Sequence, residues 1–567
     1  MNKKTHKIIL YLINILLNTI LILTTILLGV FTDNKVVITV MSLICIYVLN
    51  VTVSVWIVNS KLRTNDTKLT WLLSFILFPL ISHLIYFIWG RSPYTDNRKV
   101  EDYKKTYKSY LHLYPKAAIN KNENENVVFQ DLSQYAKSVR GVQTSYNNDF
   151  EILKDNQDFY KAVMENIDLA KEHIFIQYYI VDDGFFLNSL VHKLLKKADE
   201  GIKIYFMFDR YGCQTKFKPD MVACLAQHKN IEVAKFESDK DIKFRSTNNF
   251  RNHRKVMIID NKLAIYGGSN IADEYLSLKR NHPNWKDLNM IIKGDLVKNM
   301  LVDYCMDWDF NSFLPYTCVL GDYVQGPSFL KPLLWVQHRW FLKKHYKTVA
   351  AQAIQTRKIT KNLVETLNLK KYFEVEEPHV INEVHNEALF MTTGPRYYSG
   401  VASETILTAI FNATKSVKII SPYLHPNDEI MAALQAASFR KVKVELILPG
   451  SCDDKWFLLN MNRIYYEPLL DAHVSIKEYA GFIHTKAIII DDEIVITGTF
   501  NLDLRSLTSN FESILVIKDT HANEQMKEYW EECSHNATRF TKGDLINNLS
   551  LRNSFIKGCL QIIKPLL

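Results

Sequence analysis

The chain has 567 residues, 47% of them apolar and 23% charged, with 69 Lys and Arg against 60 Asp and Glu. That composition excludes a disordered chain, a collagen and a disulfide-stapled scaffold, and the length allows several domain-sized units. A net charge of +9 suits an anionic partner.

The first ninety residues hold three apolar runs, Ile8 to Phe31, Val36 to Val58 and Leu69 to Trp89, joined by four- and ten-residue loops. Each is long enough to cross a bilayer as a helix, which takes ~20 residues. The first run is too long for the apolar part of a cleavable leader and has no small-x-small site after it. Trp71, Tyr86 and Trp89 suit an interfacial aromatic belt. Six Lys and Arg fall on one side of three spans and seven on the other, so charge does not choose the orientation. Eight cysteines lack metal-type or framework spacing, and seven lie outside the apolar runs. Unpaired thiols point to a reducing compartment, hence to a multi-pass membrane protein with its main body in the cytoplasm and its amino terminus outside.

Residues 92–126 read as a polar linker with a charged helix. From about Val127 strand and helix patterns alternate: a strand at Ile174 to Ile180, a helix at Phe186 to Leu195 and a strand at Ile202 to Phe208. The same order returns about 230 residues later as Val417 to Tyr423, Glu429 to Ala437 and Val442 to Leu448. The expectation is α/β: two homologous domains with mixed, largely parallel sheets flanked by helices, in a pseudo-twofold arrangement behind transmembrane helices. The predicted boundaries are 127–310 and 390–567, with a basic connection at 311–389. Within that connection Lys331 to Lys371 carries ten Lys and Arg and one acid, Glu365, interleaved with aromatic residues, a mixture suited to a surface of anionic lipid.

Each predicted domain carries one copy of an unusual constellation. Asn252-His253-Arg254-Lys255 continues to Asp260 and then Gly267-Gly268-Ser269-Asn270, and Ile483-His484-Thr485-Lys486 continues to Asp491 and Gly498-Thr499-Phe500-Asn501. His to Lys is two residues, His to Asp seven and His to Asn seventeen in both. On a strand, residues two apart share a face, so each His and Lys point together. A metal is not expected, because an ammonium beside each His opposes a cation, and no cofactor is implied. Two imidazoles, two ammonium groups and two carboxamides make a site for a phosphodiester. One His attacks phosphorus, the other moves the proton of the alcohol, and Lys255, Lys486, Asn270 and Asn501 hold the phosphoryl oxygens. An orienting carboxylate is expected for each His, with Asp287 serving the first half and Glu512 the second.

The paired motifs resemble the phospholipase D superfamily, and the whole chain is similar to its bacterial cardiolipin synthases. The resemblance rests on Arg251 to Lys255, Gly267 to Tyr275, Ile419 to Tyr423 and Gly498 to Ser506, and runs from the apolar segment ending at Arg91 to the last residues. It implies a phosphohistidine on His253, with His484 as general acid and base, within a catalytic set of His253, Lys255, Asp260, His484, Lys486 and Asp491. The implied reaction joins two phosphatidylglycerol molecules into cardiolipin and releases glycerol. Implied partners are phosphatidylglycerol and other anionic membrane lipids, with no nucleic acid. Hydrolysis, or a different donor or alcohol, is the alternative with the same pocket. Asn289 and Phe500 depart from the family pattern, and the join between the halves is longer than usual.

Overall fold

The computed structural model describes residues 35–59, 65–78, 105–114, 126–213, 216–217, 219–236, 251–278, 285–311, 362–373, 386–394, 400–451 and 457–547, together with 23, 27, 81–82 and 85–86. It divides into two units, residues 1–95 with 242–247 and 559–567, and the remainder.

In the first unit the second apolar run forms the helix Lys35–Val58. Its 24 residues and a mean hydropathy of 2.4 over an 18-residue window make it the one helix among the described residues long and apolar enough to span a bilayer. The third run was expected to span from Leu69 to Trp89, but its described helix is the shorter Asn65–Leu77, with a bend at Phe78 ahead of Pro79. Ile57, Phe75 and Tyr86 pack together, and the rings of Trp71 and Tyr86 meet edge-on at 4.9 Å. The first run lies almost wholly outside the described residues.

The second unit is built on two sheets. Asn148–Leu153 (β1), His173–Tyr178 (β2), Lys203–Asp209 (β3), Ile231–Phe236 (β4), Val256–Ile259 (β5), Leu263–Gly267 (β6) and Asn289–Gly294 (β8) make a seven-stranded sheet, with the short Trp285–Lys286 (β7) outside it. Its order is β1-β8-β6-β5-β2-β3-β4. The second half contributes Asn386–Thr393 (β9), Ser416–Ile420 (β10), Leu424–His425 (β11), Lys443–Pro449 (β12), Ser475–Tyr479 (β13), Phe482–Ile483 (β14), Ala487–Ile490 (β15), Ile494–Gly498 (β16), Leu502–Asp503 (β17), Glu512–Asp519 (β18) and Ala537–Phe540 (β19). Read from its other end, the eight-stranded order is β9-β18-β16-β15-β10-β12-β13-β19, which repeats the first sheet and adds one edge strand.

The duplication extends to register. Ile174 pairs with Ile259 where Val417 pairs with Ile490, and each following Asp sends its N–H to the first residue of the neighbouring strand. The sheets are mixed but not largely parallel. Only β2–β3–β4 and β10–β12–β13 run parallel; the β5–β6–β8 and β15–β16–β18 meanders are antiparallel. Helical crossovers produce parallel neighbours, whereas short turns such as the one at Asp260 and Asn261 produce hairpins.

Each sheet has its own apolar core, filled by the β-branched runs and by helices such as Phe185–Asp199 and Asp428–Phe439. One boundary differs from expectation. The helix Val127–Arg140 was assigned to the first domain, yet Val128, Phe129, Leu132 and Ala136 lie in the core of the second. The chain thus crosses the second half before building the first. Most of the basic connection, residues 312–361, falls outside the described residues.

Candidate active site

The halves meet through two short strand exchanges of the same form. β7 pairs in parallel with β14, joining Lys286 to Ile483, and Asn252 makes a parallel bridge to Phe511. The residue before each motif His therefore lies beside the residue before the other half's carboxylate. The His484 N–H donates to the Lys286 carbonyl at 2.6 Å, and the His253 N–H to the Phe511 carbonyl at 2.9 Å.

This exchange crosses the orienting pairs. His253 Nδ1 lies 3.0 Å from Glu512 Oε2, and His484 Nδ1 lies 2.7 Å from Asp287 Oδ2. The expected pairing within each half is thus corrected: Glu512 serves the first-half histidine and Asp287 the second-half one. The physical reason is the parallel pairing between halves, which turns each carboxylate away from its own motif and towards its partner's.

The four ionisable motif side chains are deeply buried, with His253 and His484 only 8% and 7% exposed and Lys255 and Lys486 1% and 2%. Lys255 Nζ donates to the His253 carbonyl at 2.6 Å, and Lys486 Nζ donates to that of His484. Lys486 Nζ is also 3.8 Å from Asp287 Oδ2. Burial pushes Lys255 down to about 7 and Lys486 down to about 8, with the carboxylates, Glu512 foremost at Lys255 and Asp287 at Lys486, opposing the shift. Burial, then the charge of Lys486, holds His484 down at about 3. His253 is lowered too, by burial above all, while Glu512 pulls the other way. Burial raises Glu512, but His253, Lys255 and the Thr499 hydroxyl outweigh it and leave the carboxyl below its usual range.

The two imidazoles differ in what surrounds Nδ1. At His253 two acceptors face it, the Thr499 carbonyl at 2.9 Å and Glu512. Both require a proton on Nδ1, so Nε2 keeps its lone pair. At His484 a carboxylate and the Lys486 ammonium both lie 2.7 Å from Nδ1, so an acceptor and a donor compete for one atom.

Sequence reasoning missed several residues. Thr499 Oγ1 and Asn510 Nδ2 hold the Glu512 carboxylate at 2.7 and 3.2 Å. Tyr179 meets the His253 ring edge-on at 4.8 Å, and Tyr275 meets that of His484 at 5.8 Å. Thr499 occupies the second position of a glycine turn, and its counterpart is Gly268. A Cβ at Gly268 would sit 2.2 Å from Asp287 Oδ1, so only glycine leaves that carboxylate room. Position within the glycine turns was the available signal.

Asp260 and Asp491 correct the expected catalytic set. Each sits at the far end of β5 or β15 from its His, where its carboxylate accepts three backbone N–H groups: Lys171, Glu172 and His173 for Asp260, Thr414, Lys415 and Ser416 for Asp491. Seven extended residues span roughly 20 Å, beyond contact with the pocket. The carboxylates close a turn against the start of the neighbouring strand. Asn270 is also committed: its Oδ1 accepts from Ile180 N–H and its Nδ2 donates to the Tyr275 hydroxyl at 2.6 Å. Asn501 is buried with Oδ1 unpartnered among the described residues. Asn289 braces the first glycine turn through Ser269, and Phe500 packs into the second core.

Comparison with known proteins agrees with this architecture. A family model described as "Cardiolipin synthase, PLD-like domain" matches residues 163–301 and 406–534, and one described as "Phospholipase_D-nuclease N-terminal" matches 48–91. The chain is 27% identical over 457 residues to a cardiolipin synthase of Halalkalibacterium halodurans, covering 79% of each chain. It is 25% identical over 510 residues to one of Alkalihalophilus pseudofirmus, covering 89% of this chain and 90% of that one. Among solved structures, the phosphatidylserine synthase of Haemophilus influenzae shares the fold with a TM-score of 0.53 at 11% identity, covering 78% of this chain and 98% of that one.

Proposed function

Because the chain belongs to the cardiolipin synthase family of phospholipase D-like proteins, we propose that it joins two phosphatidylglycerol molecules into cardiolipin and releases glycerol. The observation that carries the chemistry is the pair of crossed His–carboxylate contacts enclosed in one pocket with two buried lysines.

The roles follow from the protonation each His is built to hold. His253, with its Nδ1 proton held by Glu512 and the Thr499 carbonyl, presents a lone pair on Nε2 and is the nucleophile. Its attack on phosphorus breaks the bond to the head-group glycerol, whose oxygen takes a proton from His484. That proton requires His484 to charge. A phosphodiester seated between Lys255 and Lys486 offsets the ammonium charge that disfavours the imidazolium, and Asp287 steadies it. The lysines stabilise the charge on the phosphoryl oxygens. In the second step neutral His484 takes the proton of an incoming glycerol hydroxyl, which attacks phosphorus and restores free His253. No nucleotide-activated lipid enters this balance.

The catalytic set in this reading is His253, Lys255, His484 and Lys486, with Glu512 and Asp287 as positioning residues and Asn501 as a further phosphate contact. The same reading embeds the chain in the bacterial membrane through its amino-terminal apolar runs, with the catalytic halves in the cytoplasm; the apolar helix Lys35–Val58 supports the first part. The test is purified protein given phosphatidylglycerol alone, followed by lipid mass spectrometry and glycerol quantitation. Equimolar cardiolipin and glycerol are expected. Phosphatidic acid as the dominant product would make the protein a hydrolase.

A further inference from the structure

The two motifs match in spacing but not in what precedes the histidine. Two residues before His253 stands Arg251, and two before His484 stands Phe482. The extended chain through each strand exchange puts Arg251 on the side of His253 and Lys255, and Phe482 on the side of His484 and Lys486, about 7 Å along for each two-residue step. A duplicated pocket thus has unlike walls at its two ends.

The wall beside His484 is aromatic and closed. Phe482 is buried against Trp285 at 4.6 Å between ring centres, with Tyr275 and Tyr423 in the same cluster. The wall beside His253 is cationic and open. Arg251 Nη1 donates to the Tyr179 hydroxyl at 2.9 Å, and its guanidinium lies 3.6 Å from the centre of the Tyr211 ring. Tyr179 is the residue whose ring meets His253, and Lys255 Nζ lies 5.4 Å from the same ring. Tyr211 is 44% exposed, so this group opens to solvent.

Arg505 joins from the second half. Burial, then the charge of Arg251, lowers it below the ordinary guanidinium range, while Tyr179, Asp503 and Tyr211 act in the opposite sense. The backbone brings them together, since the Phe511 N–H donates to the Arg251 carbonyl at 2.8 Å and the adjoining Asn510 N–H to the Arg505 carbonyl at 2.9 Å; two guanidiniums, with Asp209 and Asp503 nearby, thus stand beside a pocket that already holds two lysines.

We propose that Arg251 and Arg505, framed by Tyr179 and Tyr211, bind the phosphodiester of the acceptor lipid and thereby favour an anionic lipid over water or a neutral alcohol in the second step. This rests on the proposed reaction. In that reaction the acceptor's own phosphate is one glycerol unit from the hydroxyl that attacks the phosphorus carried on His253, so a seat one strand step from His253 lies within the acceptor's reach. Arginine suits the task because its planar fork makes paired hydrogen bonds to a phosphate. Phe482 at the equivalent place offers no such contact, which gives the symmetric fold a directional reaction.

The experiment gives the purified full chain phosphatidylglycerol vesicles together with isotopically labelled glycerol. Cardiolipin reports the anionic acceptor, and labelled phosphatidylglycerol reports a neutral one on the same phosphohistidine. In Arg251→Gln and Arg505→Gln the ratio of cardiolipin to labelled phosphatidylglycerol should fall about tenfold or more, the effect of losing a charge-assisted hydrogen bond. Tyr211→Ser, on the exposed rim, should shift the ratio in the same direction and guards against loss of fold in the arginine variants. An unchanged ratio in all three, with both products falling together, would overturn the assignment and make these residues structural. Labelled phosphatidylglycerol without cardiolipin from the unaltered protein would instead overturn the proposed reaction.

Discussion

Glu512 Oε2 stands 3.0 Å from His253 Nδ1 although 259 residues separate the two in sequence and they belong to opposite halves of a duplicated fold. Neither half holds a complete His–carboxylate pair. Glu512→Gln should reduce cardiolipin formation about 10³- to 10⁴-fold, the scale seen when an orienting carboxylate becomes an amide, with the circular dichroism spectrum unchanged. Because Glu512 holds the histidine proposed as nucleophile, quenched reactions of this variant should contain less phosphohistidine.

Asp287→Asn should slow both formation and breakdown of the intermediate. In the proposed reaction Asp287 steadies His484, which protonates the leaving glycerol and later deprotonates the acceptor, so cardiolipin formation should fall about 10³- to 10⁴-fold while any trapped phosphate stays on His253. Peptide mapping of protein quenched in denaturing detergent at alkaline pH, where the P–N bond survives, reads this directly. Phosphate found on His484 would reverse the roles of the two histidines.

The buried lysines set an alkaline limit. Lys255 at about 7 and Lys486 at about 8 lose their charge in the free protein as pH rises past those values, so kcat/KM should fall across that range. Stability moves the other way. Between about 7 and the ordinary lysine value of 10.5 the unfolded chain binds a proton at Lys255 that the folded chain does not, so the free energy of unfolding climbs with pH over that window. Lys255→Met should abolish activity while flattening that climb, measured as urea midpoints at pH 7 and pH 10.

Asp491→Asn separates the strand-end carboxylates from the chemistry. Asp491 accepts three backbone N–H groups, and those contacts outweigh burial to keep it below the usual carboxylate range. Its contribution is present above the unfolded pKa near 3.8 and is lost as pH falls through the lower folded value. At neutral pH the variant should lose about 1 to 3 kcal/mol of stability. Turnover per folded molecule should change less than about tenfold, a bound that a catalytic group would break.

The chemistry was legible in sequence because it is local. His and Lys two residues apart share a strand face by geometry alone, so His253 with Lys255 and His484 with Lys486 follow from alternation. Burial of β5 and β15 follows from four consecutive apolar residues, and the duplication follows from repeated spacing. The seven-residue step to Asp260 or Asp491 was equally legible, and along an extended strand it sets each carboxylate roughly 20 Å from its His; their place in the catalytic set came from the resemblance and not from the spacing.

What only the tertiary structure decided depends on contacts between distant segments. Strand exchange between the halves assigns Glu512 to His253 and Asp287 to His484, and nothing near either motif encodes which carboxylate crosses over. Hairpin closure after Ile259 and Ile490 makes most strand pairs antiparallel, although strand and helix alternation suggested a parallel sheet. The helix Val127–Arg140 joins the second core because its apolar stripe fits that sheet's neighbours, a choice set by packing and not by chain order. The same packing holds the backbones of Arg251 and Arg505 to the adjoining Phe511 and Asn510, so the asymmetry of the pocket arises where two nearly equal halves meet.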